Sequence, residues 1–279
     1  MNVGRNPKSA EVVALSRESA GWQYVSFSVW DLKAGQTIGD TTGAEEVGLV
    51  VLSGTVAIDS PAGSWQSVGR RGSVFDGNPY VVYLPPSTDF VVTAVTDTQV
   101  ARAAALVADG EVVTSDAYLI TPDDILVEQR GEGNARRSIR HLLEADRPAN
   151  HLFLVECVTP SGNWSSYPPH KHDMDDYPRE TYLEETYYHR IQPDQGFGFQ
   201  RIYTRDDGRD DGIVIKDGSL VAVAAGYHPV VVAPGYELYY LNVMAGPIRE
   251  WRFTDDPDHA WVKANWDAYG TEVKRKVVP

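Results

Sequence analysis

His170 and His172 stand one residue apart in the stretch from Tyr167 to Asp173. On a strand, residues i and i+2 point to the same side of the sheet, so both imidazoles can meet one cation. Imidazole is a ligand for zinc, iron, manganese and related ions, and a carboxylate from a neighbouring strand commonly completes such a set. Glu184 and Glu185 are candidates for that carboxylate. A fourth donor is His228, which follows a glycine turn, an alternating run and a second glycine turn between Asp217 and Tyr227. Its use requires a hairpin that returns beside the first strand. A cation held this way is a Lewis acid, able to polarise a carbonyl and stabilise developing negative charge.

The elements that must position these groups read as strands. All seven histidines fall at or after position 141, so a histidine-based site belongs to the second half. Runs such as Val47–Leu52, Tyr80–Leu84, His151–Val158, Glu185–Ile191, Gly198–Tyr203 and Glu237–Val243 are strand-length and bounded by Gly, Pro, Asp or Ser. With 24 Gly and 17 Pro, the expectation is an all-β chain of two tandem sandwiches or barrels. A charged, Gly-containing stretch from Gln129 to Leu143 reads as linker and entry to the next domain, giving domains 1–130 and 131–279. Helix signals are few: Pro122–Glu128 and Pro257–Trp266. The basic end, Lys274–Pro279, reads as a solvated tail.

Composition narrows the function classes. The chain has 279 residues, 42% hydrophobic and 23% charged, enough for a sizeable packed core. A net charge of -14 repels the phosphate backbone, so neither nucleic acid nor an anionic membrane is an expected partner. No run is long enough to span a bilayer, and the first residues lack the basic-then-apolar pattern of a signal peptide. A cytoplasmic location is expected, consistent with the single Cys157. The sequon at Asn163 then has no use. An anionic ligand would need a local cation, a metal or an arginine, to overcome the global field. Gly196 and Gly198 lack the third glycine and the helix of a dinucleotide site.

The order His-x-His, Glu, then Gly-x-His resembles the metal motifs of the cupin superfamily. More specifically, Ala20–Val25, Ser73–Pro79, Tyr83–Pro86, Pro169–Asp173, Leu183–Tyr188, Gly198–Tyr203 and Tyr239–Gly246 resemble the 5-deoxy-glucuronate isomerase family (IolB), across nearly the whole chain. The resemblance implies a bicupin with His170, His172, Glu185 and His228 as metal ligands. Glu184 takes the place of Glu185 if the register slips by one. The twelve residues from Asp173 to Glu184 exceed the few that most cupins have there. The first barrel contains no histidine and reads as a degenerate, structural repeat without a metal site.

The implied reaction is isomerisation of 5-deoxy-D-glucuronate, a small sugar acid, to 2-deoxy-5-keto-D-gluconate in bacterial myo-inositol degradation. The implied cofactor is a divalent ion, zinc first, with manganese, iron or nickel as alternatives. Such an aldose–ketose isomerisation proceeds through a cis-enediol, with hydride transfer as the other route. For the base, the choices are a metal-bound hydroxide, a carboxylate of the insertion such as Glu180, or a barrel tyrosine. Lys171 alternates with the two histidines and faces away. Phe199, Arg201 and Tyr203 share a face, where Arg201 and Tyr203 are candidates to hold the substrate carboxylate. Arg179 in the insertion could close over the ligand, with Tyr177 and Tyr182 as further sugar contacts. His141, His151, His189 and His259 have no motif position. A metal-dependent cupin dioxygenase and a non-catalytic sugar-binding bicupin are the competing functions, separable by oxygen uptake and by binding without turnover. The exterior sheets of such barrels commonly pair, so a homo-oligomer suits the reading.

Overall fold

The computed structural model describes residues 1–3 and 10–264. In the first half, the strands Tyr118–Ile120, Val81–Leu84, Glu45–Ser53, Thr98–Leu106, Val25–Leu32 and Glu11–Leu15 form, in that order, a six-stranded antiparallel sheet. A four-stranded sheet of Thr37–Thr41, Asp89–Ala94, Val56–Ser60 and Gly63–Val68 faces it. Trp30, Leu49, Val51, Val82, Phe90 and Val92 fill the space between.

The second half repeats the plan. Its seven-stranded sheet runs Asn2–Val3, Leu220–Val223, Glu184–Gln192, Glu237–Ala245, Phe153–Thr159, Arg137–Leu143 and Leu126–Arg130. Opposite lie Trp164–Ser165, Val230–Val232, Phe197–Tyr203 and Asp210–Lys216, with a short pair of His170–Lys171 and Thr254–Asp255 beside them. Phe153, Val155, Cys157, Tyr187, Ile202 and Tyr240 pack inside this barrel.

The two large sheets also pack on each other, through Val50, Leu52, Tyr83, Leu154, Tyr188 and Leu241. This arrangement explains the apolar run Val47–Leu52. Val47, Leu49 and Val51 face the first barrel's interior, whereas Val50 and Leu52 face the second barrel. A strand buried on both faces has no polar side to alternate with. At Gly48 an added Cβ would stand 2.5 Å from Leu154 Cδ1, so a glycine is what lets the sheets close. By contrast, Phe197–Tyr203 alternates between exposed and buried residues because only one of its faces is covered.

Three expectations change. The strand Leu126–Arg130 is paired into the second large sheet, while Tyr118–Ile120 is paired into the first. The chain therefore changes sheet between Ile120 and Leu126, before the expected boundary at 130. Of Pro122–Glu128, expected as one or two helical turns, a single 3-10 turn forms, Pro122–Asp124, and the remainder leads into that strand. The helix expected over Pro257–Trp266 is present as Trp261–Ala264, and its last residues, like the basic tail, lie outside the described residues. A short helix that the sequence pass did not mark, Arg17–Ala20, is capped by Ser16 and closed by Gly21 at φ +70°. Among the described residues no helix is long and apolar enough to cross a membrane.

Candidate metal centre

The short strand at His170 is held by pairing with Asp255, and the strand of Glu185 by pairing with Val223 and Met244. His228 arrives through a turn at Gly226, where φ is +96° and a Cβ would stand 2.6 Å from the Tyr203 carbonyl oxygen. Only glycine fits there without strain. These elements bring one nitrogen each of His170, His172 and His228 within 4.8 Å of one another, all three residues buried. The carboxylate of Glu185 completes the cluster, with Oε2 3.1 Å from His172 Nε2 and 3.2 Å from His228 Nε2.

Backbone carbonyls fix which nitrogens face inward. His172 Nδ1 lies 3.1 Å from the Leu183 oxygen, and His228 Nδ1 2.8 Å from the Gly226 oxygen. Each Nδ1–H therefore donates outward and leaves Nε2 to the centre, the usual outer-shell arrangement for metal-binding histidine. Although His228 Nε2 is close to Glu185, it is off the line of a hydrogen bond and is a buried nitrogen without a hydrogen-bond partner. Burial opposes the charge on Glu185, but His228 and His172 outweigh it and hold the carboxyl down at about 2. Burial, aided by the neighbouring imidazoles, pushes His170 well below its ordinary value. Burial also works against a proton on His172, yet the bond to Glu185 keeps that imidazole above its ordinary value. Three imidazoles and one carboxylate in a buried cluster, with a bare Nε2, are a donor set that fits a divalent ion.

Against this geometry the comparisons can be placed. A family model described as the KduI/IolB family matches residues 2–262. The chain belongs to the KduI/IolB family. A 5-deoxy-glucuronate isomerase of Geobacillus thermodenitrificans is 49% identical over 256 residues, covering 91% of this chain and 92% of that protein. One of Bacillus subtilis strain 168 is 41% identical over 267 residues, covering 92% and 97%. A crystal structure of an IolB-like protein from Salmonella typhimurium superposes with a TM-score of 0.90 at 41% identity, covering 94% of this chain and 99% of that one. Bacillus subtilis oxalate decarboxylase, at 11% identity and a TM-score of 0.59 over 95% of this chain and 82% of its own, shares the fold alone. The KduI/IolB chain is thus a bicupin, two tandem cupin-type barrels.

Four other site expectations are corrected. Glu180 is buried, but its Oε1 accepts from the backbone N–H groups of Asp173 and Met174 and from Lys171 Nζ. It braces the insertion from the far side of the His170–Lys171 strand, where Lys171 also points, and is not placed to act as a base. Arg201 lies on the outer face with Phe197 and Phe199. It forms a two-pronged exposed pair with Asp210, at 2.6 and 2.8 Å. The spacing was right about a shared face; that face is the one turned to solvent. Tyr203 is buried beneath Arg201, 3.9 Å from guanidinium to ring centre, and donates its hydroxyl to Asp256 at 2.6 Å. Arg179 is exposed and paired with Asp176.

The same rule of two, applied from Glu185, reaches residues that the sequence reading passed over. Tyr187 and His189 follow it on one face of the strand. Tyr187 meets Ser166 Oγ through its hydroxyl at 3.1 Å, and His189 Nε2 lies 3.2 Å from Gln200 Oε1. His189 Nδ1, Gln200 Nε2, Ser165 Oγ and Trp251 Nε1 are buried and have no hydrogen-bond partner. Glu184, on the opposite face, points away from the cluster and accepts from the N–H groups of Gln23, Tyr24 and Val25 at 2.7 to 2.9 Å. Among the described residues, no second group of three or more metal-ligating side chains lies in the first barrel. Val47, opposite Ala104, stands where Glu185 stands opposite Met244. A cleft at that barrel is lined by Ser26, Asp40, Glu45 and Arg102, with Arg102 paired to both acids.

Proposed function

We propose that this chain is a metal-dependent aldose–ketose isomerase that converts 5-deoxy-D-glucuronate to 2-deoxy-5-keto-D-gluconate in myo-inositol breakdown. The observation that carries this is the buried cluster of His170, His172, Glu185 and His228, in a chain of the KduI/IolB family whose relatives are named for that isomerase. His170, His172, Glu185 and His228 would hold a divalent ion, zinc in the first instance, which when bound would supply a Lewis acid for the substrate carbonyl and for the negative charge left when the neighbouring carbon loses its proton.

The residues around the cluster do the rest. The carbonyls of Leu183 and Gly226 hold the two imidazoles in the ligating tautomer. Burial pushes His189 down to about 4, so the imidazole is neutral near pH 7; its Nε2–H donates to Gln200 Oε1, which leaves Nδ1 to accept a hydrogen bond from a sugar hydroxyl. Ser165, Gln200 and Trp251 contribute further unpaired polar atoms, each costly to leave unsatisfied in a dry interior and each suited to a polyhydroxylated ligand. The apolar residues of the second barrel exclude bulk water from the reaction.

The test is NMR of the purified, metal-analysed protein with 5-deoxy-D-glucuronate in deuterated water. Ketose carrying deuterium at C1 is the expected product, and no conversion by metal-loaded protein would refute the assignment. Alanine in place of His170, His172, Glu185 or His228 should reduce bound metal to about a tenth or less and kcat/KM about a thousandfold. Full metal occupancy in all four variants would refute the ligand set.

A further inference from the structure

The chain carries a net charge of -14, and the arginines expected to hold an acidic substrate, Arg179 and Arg201, are on the outside. A different arginine is inside. Arg137 and Ile139 lie on the same face of their strand, and Ile139 packs in the second barrel's core with Phe153, Cys157 and Tyr240. Arg140, one residue further along, faces the other barrel and pairs with Glu156. Arg137 is buried, and among the described residues no carboxylate pairs with it. It donates to the carbonyls of Ala135 at 2.9 Å and Tyr167 at 3.2 Å, both from Nη1. Nη2 and Nε make no hydrogen bond among the described residues.

The buried Arg71 and Arg140 and the half-buried Arg249 are used differently. Arg71 and Arg140 share Glu156. Arg249 donates from Nε, Nη1 and Nη2 to three backbone carbonyls. At Arg137, as at Arg140, only Nη1 finds an acceptor among the described residues, but the charge of Arg140 is met by Glu156 and that of Arg137 by no carboxylate. The backbone makes room for the group. Gly131 has φ +79°, and a Cβ there would stand 2.6 Å from Arg137 Nη1 and 2.1 Å from the Ala135 oxygen. Tyr167, whose carbonyl it holds, is three residues before His170, on the stretch that leads into the metal cluster.

We propose that Arg137 is the carboxylate anchor of the second barrel, gripping a sugar acid by its acid end while the opposite end meets the histidine cluster. This rests on the isomerase reading and deepens it. A buried guanidinium without an acid is costly, and a planar carboxylate matches its free edge with two parallel charge-assisted hydrogen bonds. The anchor selects uronates over neutral sugars.

The experiment is calorimetric titration of the metal-loaded protein with D-glucuronate and with neutral D-glucose, alongside steady-state kinetics on 5-deoxy-D-glucuronate. It compares wild type, Arg137→Gln, Arg137→Lys and the rim control Arg130→Gln. Arg137→Gln should weaken D-glucuronate binding and raise KM about tenfold or more, with kcat within about threefold and metal content unchanged. Arg137→Lys, which keeps the charge and protects against a folding failure, should lie between. A change below about twofold in folded, metal-replete Arg137→Gln or Arg137→Lys overturns the anchor. Arg137-dependent glucuronate binding without any turnover by wild type upholds the anchor and removes the isomerase. Turnover with an unmoved KM does the reverse.

Discussion

His141 and His189 differ from the clustered histidines by their neighbours rather than by their place in a motif. Burial alone would lower the proton affinity of His141, but it lies between Glu128 and Glu144, and these raise it to about 9. In the same contact Glu128 is drawn down to about 2, first by His141 and then by Arg130. A histidine whose folded value is raised contributes stability that is complete below about pH 6.5, its unfolded value, and is lost as the pH rises through about 9. The carboxylate side of the pair is lost only in strong acid. His141→Gln should therefore flatten the part of the stability decline between about pH 6.5 and 9 that wild type shows in urea midpoints. An unchanged slope would mean that the pair does not form in solution. The part due to Glu128 was not readable in the sequence, because Glu128 reaches His141 only after a hairpin pairs Leu126 with it. The His-x-His spacing was readable because both its partners and its geometry are local.

The strand Glu184–Gln192 shows where local reasoning ends. Period two places Glu184 and Glu185 on opposite faces, yet the sequence does not say which face is inside. The structure puts Glu185, Tyr187 and His189 toward the centre and hands Glu184 to the other barrel. Its mirror is Glu46, which accepts from the N–H groups of Asn150, His151 and Leu152 at 2.5 to 2.7 Å. Glu46 opposes Ala105 as Glu184 opposes Ala245, so the two acids occupy equivalent positions and each clasps the other half. Glu46→Gln and Glu184→Gln should each cost about 1–3 kcal/mol of stability, read from denaturant midpoints. Only Glu184→Gln should also loosen metal, because its neighbour is Glu185 while the neighbour of Glu46 is Val47. Equal metal affinity in the two variants would separate the clasp from the site. The same ambiguity of face misplaced Arg201, and Glu180 was misread because a loop insertion has no periodicity to orient it.

At the scale of the molecule the interface between barrels is built like an interior. Glu156, fully buried, takes Arg71 at 2.6 Å, Arg140 at 3.0 Å and the Tyr239 hydroxyl at 2.7 Å. Glu156→Ala leaves two buried cations without their acid and should cost about 3–5 kcal/mol. Gly48→Ala, which presses a methyl into Leu154, should cost about 1–3 kcal/mol. Chemical denaturation of both variants checks these values, and a loss below about 0.5 kcal/mol in either would show that the sheets separate without penalty. The tandem all-β plan was legible from strand-length runs. The change of sheet was not, because two short runs so close together, Tyr118–Ile120 and Leu126–Arg130, carry no local sign of which sheet each joins.

The late edge strand bears on how the protein is made. As the polypeptide leaves the ribosome, the first sheet lacks its edge strand Tyr118–Ile120 until Ile120 has emerged, and Glu46 has no side-chain bond to the backbone of the second half until Leu152 has. The early half must wait on the later one with its large apolar face uncovered, so the chain matures as one cooperative unit, and a stall in translation between the halves would expose that face to chaperones.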